Sequence, residues 1–193
     1  MSHARGSALG GRILAGALLF LVVARGAAAP EVQDPPKKMS EYELKAGFLL
    51  NFAKYVEWPP GAFEKKETPI TLGILGEDPF GATLEKTLKD REAQDRKFEI
   101  VRFRDLGEVK RCHILFVPKT EKANVPEILK AVEGWATLTV GESEGFAAAG
   151  GLVNILIEKE RPRLEINTEA ADKAKLTIQA KLLKVATLVK TEK

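Results

Sequence analysis

Gly141-Glu142-Ser143-Glu144-Gly145 matches the G-x-S-x-G spacing of a hydrolase nucleophile elbow and directly follows a predicted strand. In that arrangement the base is a histidine from a later loop, and no histidine follows Ser143. His113 lies upstream in an apolar run, where a core-edge role suits it better than catalysis. Glu142 and Glu144 flank the serine and would oppose an anionic intermediate. The favoured reading is a glycine-rich loop with no catalytic residue. Gly73, Gly76 and Gly81 lie between a strand and a helix, where a turn can hold an anion. The G-x-G-x-x-G spacing and the Lys-Ser/Thr ending of a P-loop are absent, and Glu77 and Asp78 would repel phosphate. A plain connection without a nucleotide cofactor is therefore expected. Cys112 is the only cysteine, and His3 and His113 are the only histidines. A His/Cys metal centre and an internal disulfide are excluded, and no metal is expected. A buried Cys112 would be inert, and an exposed one could pair between chains; the inert reading is favoured.

The elements that carry these residues alternate between strand and helix. Ser40 and Glu43 form a capping box that opens a helix running to about Val56, and Pro59-Pro60 stop it. At 100° per residue Tyr42, Ala46, Leu49, Ala53 and Val56 share one stripe, flanked by Leu50 and Phe52. Lys45 projects onto that stripe; it is expected to snorkel, with a carboxylate partner such as Glu41 as the alternative. Trp58 at the helix stop is expected to close over the core, the alternative being a partly exposed interface anchor. Strands are expected at 70–75, 97–103, 113–117, 137–140, 152–157 and 163–166, and helices at 82–88 and 126–132, the latter capped by Asn124. Thr168 opens a C-terminal helical region with a joint near 175–177. In its last part Ile178, Leu182, Val185, Ala186 and Val189 are read as a core stripe. Leu183 and Leu188 lie on its edges, open to burial by a second copy or another partner. Such alternation predicts a single-domain layered α/β sandwich. Its central sheet is mostly parallel and flanked by helices, with an antiparallel hairpin at one edge.

The chain has 193 residues, 45% of them apolar and 30% charged, the balance of a globular protein. Residues 1–29 contain Arg5, Arg12 and Arg25 and no acid, so they account for the whole excess of +3 and the remainder is neutral. No basic surface for nucleic acid or lipid is suggested. Two arginines, the apolar run 13–23 and the small residues 26–29 make a secretory signal pattern, with cleavage near 26–29. The expected organisation is a signal peptide at 1–29, a proline-rich polar tether at 30–39 and one domain at 40–190. No segment of the mature chain is apolar enough to enter a membrane.

"YELKAGFLLNFAKYVEWP" (42–59) resembles the start of YfiR-like periplasmic proteins. The resemblance continues in order through "ILGEDPFG" (74–81), "CHILFV" (112–117), "LTVGESEGFAAAGGLVNILIE" (138–158), "RLEIN" (163–167) and "LTIQAKLLKVATLV" (176–189). Matching structural positions are Lys45, Glu57, Pro59, Gly76, Gly81, Gly145, Phe146, Gly150, Gly151, Asn154 and Asn167. The resemblance implies a non-catalytic periplasmic repressor that holds the sensor region of an inner-membrane diguanylate cyclase inactive. An outer-membrane lipoprotein that sequesters the repressor is a further implied partner, and a homodimer is allowed. Exopolysaccharide production and biofilm formation would be the output. Trp58, Leu183 and Leu188 are the candidate partner contacts. Two departures stand out. Family members carry paired cysteines, one near Cys112, whose partner is missing here, and Lys175 stands where they usually have glycine. A small-molecule sensor, with ligand beside the 76–81 or 141–151 loop, is the alternative function.

Overall fold

The run Ile114–Val117 is apolar at every position because both faces of the strand it forms are covered. A computed structural model describes residues 39–159 and 161–192, so the signal segment and all but the last residue of the tether lie outside the described residues. The elements are α1 (Glu41–Tyr55), β1 (Val56–Glu57), β2 (Ile70–Leu75), α2 (Ala82–Leu88), β3 (Phe98–Phe103), β4 (Ile114–Val117), α3 (Val125–Ala131) and β5 (Leu138–Gly141). They continue with β6 (Val153–Glu158), β7 (Arg161–Asn167), α4 (Thr168–Lys173), β8 (Thr177–Ile178), α5 (Ala180–Leu183) and β9 (Thr187–Val189). The main sheet has seven strands in the order β3-β2-β4-β5-β6-β7-β9. Strands β2 to β6 run parallel, β7 turns back antiparallel to β6, and β9 runs parallel to β7. This is the α/β sandwich with a mostly parallel sheet and an antiparallel hairpin that the alternation predicts. A second, two-stranded sheet pairs β1 with β8.

α1 begins at its predicted cap: Ser40 Oγ accepts from Glu43 N at 3.2 Å, and Ser40 N donates to Glu43 Oε2 at 2.6 Å. Its buried side (Ala46, Leu49, Phe52, Ala53) joins Leu84 and Leu88 of α2 over one face of the sheet. Val125 and Ile128 of α3 cover the other face with Phe146 and Phe103.

Three local expectations need correction. Asn124 does not cap α3; a 3-10 helix (Lys119–Asn124) runs straight into it, and Asn124 Nδ2 donates to Glu121 Oε2 instead. Lys45 does not snorkel: it is buried among ion-pair partners. The C-terminal segment is not one jointed helix with a core stripe. Thr168 does open a helix, α4, and the chain breaks near Lys175 as expected, with φ +58 at that residue. Beyond it lie β8, the single turn α5 and β9, with Leu182 alone of the proposed stripe buried and Val185 70% exposed. The reason is the open edge of β7: residues 187–189 satisfy their backbone groups there, and three of the five residues 185–189 are β-branched.

Candidate functional site

In an open α/β sheet, ligands sit outside the carboxyl ends of the strands, where the strand order reverses. Here that place lies between β2 and β4, since the chain leaves β2 toward β3 and then returns to the other side. The groups beyond the ends of β2, β4 and β5 pack together with the first turns of α1. Lys45 Nζ donates to Glu142 Oε2 at 2.5 Å and pairs with Glu41 one turn earlier. Glu142 Oε1 accepts from Lys119 N at 2.9 Å. The Lys45 ammonium also lies 4.9 Å from the Tyr42 ring centroid, and Tyr42 meets Phe80 edge to face. Burial first, then the Glu142 and Glu41 carboxylates, push Tyr42 up to about 12, so its hydroxyl stays a donor at neutral pH. The buried Lys45–Glu142 pair thus ties α1 to two loops at the carboxyl end of the parallel strands.

The loop after β5 is shaped around Phe146. A Cβ on Gly141 or Gly151 would overlap the Phe146 ring, so these two glycines leave the space that it fills. Gly145 and Gly150 take φ of +83 and +105, a backbone conformation that L side chains rarely adopt. Two fully buried asparagines hold the loop from the neighbouring strands. Asn154 Nδ2 donates to Ser143 O, and Asn167 Nδ2 donates to Ala147 O while its Oδ1 caps α4. Asn154 Oδ1 has no hydrogen-bond partner among the described residues. Ser143 is itself buried beyond the carboxyl end of β5, whereas His113 precedes the amino end of β4. The two parallel strands hold them at opposite ends, so the G-x-S-x-G match assembles no serine–histidine pair.

His113 belongs to a different cluster. Its ring stacks on Phe63 at 4.2 Å with Trp58 edge-on, its Nδ1 accepts from Thr71 N and its Nε2 donates to Ala62 O. Trp58 is partly buried against the core and donates from Nε1 to His113 O at 3.3 Å. Arg96 lies over the other side of Phe63 and binds the carbonyls of Lys65, Lys66 and Thr68. Pro59 follows Trp58 into this loop, and Glu57 Oε1 accepts from Gln179 Nε2 across the two-stranded sheet. Gly76 (φ +69) and Gly81 (φ +52) bend the chain between β2 and α2. Cys112 is buried, and burial raises its thiol to about 12, so a thiolate does not form near neutral pH. Leu183 is half-buried against the core, while Leu188 is 58% exposed and Val185 70%.

Sequence reasoning identified Lys45 as anomalous but not Glu142 as its partner. The signal was a lone cation on an apolar stripe, and the missing information was which of 27 acids the fold brings to it. Gln94, which ties its turn to α1 and β1, and Arg96, which ties it to the loop between β1 and β2, carried no sequence signal.

The fold is a mostly parallel α/β sheet with helices on both faces, and a buried ion pair ties α1 to the loop after β5. The YfiR/HmsC-like family model matches residues 42–187, and the chain belongs to that family. No curated protein matches it. Among solved structures, a conserved domain protein from Vibrio cholerae O1 biovar El Tor is similar at 14% identity and a TM-score of 0.53, with 80% of this chain and 61% of that one covered. The ABC domain from Streptococcus pneumonia, solved in complex with L-Trp, is similar at 16% identity and a TM-score of 0.53. There, 75% of this chain and 60% of that one are covered. The chain thus spans about three fifths of the length of both, and the likeness is one of fold. No helix of the described residues is long and apolar enough to cross a membrane.

Proposed function

We propose that the protein is a periplasmic, non-catalytic regulator of cyclic di-GMP signalling that represses an inner-membrane diguanylate cyclase by binding its sensor region. The observation that carries this reading is the family match over residues 42–187. It is supported by exposed apolar residues in the segment that leads into the edge strand β9: Val185 and Leu188 are exposed and Leu183 is half-buried. Residues 1–29 are its signal peptide, cut near 26–29 and followed by the tether. An outer-membrane lipoprotein that sequesters the repressor, and biofilm formation as the output, complete the proposal. The test is cellular cyclic di-GMP in a strain carrying the matching cyclase. Leu188→Glu places a charge in the proposed contact and is expected to release synthesis while circular dichroism stays unchanged. A folded Leu188→Glu protein that represses fully removes this segment from the mechanism.

A second reading, small-molecule sensing, has one observation in its favour. A cleft of about 480 Å³, lined in part by Trp135, Thr139, Ala149, Gly150 and Lys173, lies beside the 141–151 loop. A thermal-shift screen of amino acids and other metabolites separates it from the first: a saturable rise in Tm supports sensing, and a flat response removes it.

A further inference from the structure

β3 ends the main sheet and pairs only with β2. The bonds from Ile70 N to Lys97 O and from Gly76 N to Phe103 O fix its phase: odd-numbered residues turn their backbone groups to β2. The N–H and C=O groups of Phe98, Ile100 and Arg102 therefore face outward. Natural edges are blunted by shortness, proline, bulges or charge; this one is six residues of FEIVRF without proline or bulge, and of its two charged residues, Glu99 and Arg102, the latter is already paired with Asp78 and Glu85. The opposite edge, β9, has only three residues.

Beside this edge runs a groove of about 750 Å³ between β3 and α2. Its floor is Leu88, Phe98 and Ile100, the last two half-buried. Its rim carries Lys86, Lys89, Arg91 and Lys97, which make no ion pair among the described residues. Arg102 is already held by Asp78 and Glu85, which leaves Asp90 and Glu92 as the remaining acids of the lining and cations in excess. The rim continues into a turn with Asp90, Gln94 and Asp95 at φ +55, +53 and +59. Backbone strain of this kind persists only where the surroundings impose it. Gln94 Nε2 donates to Ala53 O and Val56 O at 2.8 and 2.7 Å, which fixes the turn to the end of α1. The groove is thus preformed rather than loose.

We propose that this groove and the β3 edge receive an extended acidic segment of a partner protein, which adds to the sheet as an eighth strand. The outward backbone groups supply the ladder. Glutamate stems of the segment lie over Phe98 and Ile100, and their carboxylates reach Lys86 and Lys89. A second copy of this chain fits less well, because two such edges side by side bring the unpaired cations together. The proposal needs no cyclase, so its failure leaves the repressor reading untouched.

The experiment titrates the 15N-labelled protein with an eight-residue peptide alternating glutamate and threonine. The expected result is saturable shifts of the Phe98, Ile100 and Arg102 amides, at least tenfold weaker for the lysine–threonine peptide. Ile100→Pro removes one outward donor without touching the β2 ladder and is expected to abolish binding. Lys86→Glu with Lys89→Glu, both exposed, the first on α2 and the second at its C-cap, is expected to weaken binding at least tenfold with the circular dichroism spectrum unchanged. Absence of binding overturns the proposal, as does binding that survives both variants or is matched by the lysine peptide. Protection of those three amides from hydrogen exchange before peptide is added also overturns it, because the edge is then already covered.

Discussion

Lys45 carries the largest concentration of unusual chemistry in the molecule. Its side chain and that of Glu142 are 2% and 1% exposed, so neither charge has water to fall back on. A buried pair of this kind is costly to break and cheap to replace as a unit. Lys45→Met is therefore expected to lower unfolding free energy by about 3–5 kcal/mol in urea melts, because Glu142 stays buried without its cation. Lys45→Met with Glu142→Gln is expected to recover part of that loss. A single-variant cost below about 1 kcal/mol would show that Glu142 escapes to solvent. Gly151 offers a second residue-scale check. An added methyl overlaps Phe146, so Gly151→Ala is expected to cost about 1–3 kcal/mol, and Phe146→Leu to relieve part of it in the double variant. Lys45 was legible as an anomaly because helical spacing fixes a residue's direction. Glu142 was not, because its 97-residue separation is closed only by the sheet topology. The glycines of the 141–151 loop were legible as a motif, but their common reason, the Phe146 ring, exists only in three dimensions.

The N-terminal and central elements could be read from periodicity, since a capped helix and fully apolar strands each have one plausible local state. The stretch beyond the joint near Lys175 could not. Residues 178–189 show apolar spacing compatible with a helix, and that pattern carries no information about an unpaired strand edge waiting at β7. One clue did survive: Lys175, where the resemblance leads one to expect glycine, takes φ +58 and turns the chain out of α4. The left-handed conformation costs an L residue about 1–2 kcal/mol, part of which glycine's greater freedom in the unfolded chain offsets. Lys175→Gly is expected to stabilise the protein by about 0.5–1 kcal/mol, a rise in Tm of about 1–4 °C. An unchanged or lower Tm would mean that the lysine side chain contributes more than its backbone costs.

At the scale of the whole molecule, one buried imidazole links the amino ends of the strands to the long loop between β1 and β2. His113 Nδ1 accepts from Thr71 N, which only an unprotonated nitrogen can do, while Nε2 donates to Ala62 O and the ring stacks on Phe63. Burial is the main cause that holds His113 below its ordinary value; Arg96 acts in the same sense, and the bond to Ala62 O opposes them. The unfolded chain takes up this proton near pH 6.5, and the folded chain resists it to a lower pH. The unfolded state therefore binds more protons in that window, and stability falls as the medium is acidified. Its contribution is fully present above about pH 6.5 and is lost as pH drops through the lower folded value. Carboxylates titrate further down and add their own slope, so the informative quantity is a difference between two proteins. Melting curves of the wild type and His113→Gln from pH 7.5 to 5 supply it. The wild type is expected to lose more Tm over that range than the variant, which has no proton to take up at this position. The variant should be less stable at pH 7.5, where the wild-type ring makes both bonds. Parallel curves would show that His113 is protonated at no cost in the fold, and that the stack on Phe63 tolerates an imidazolium.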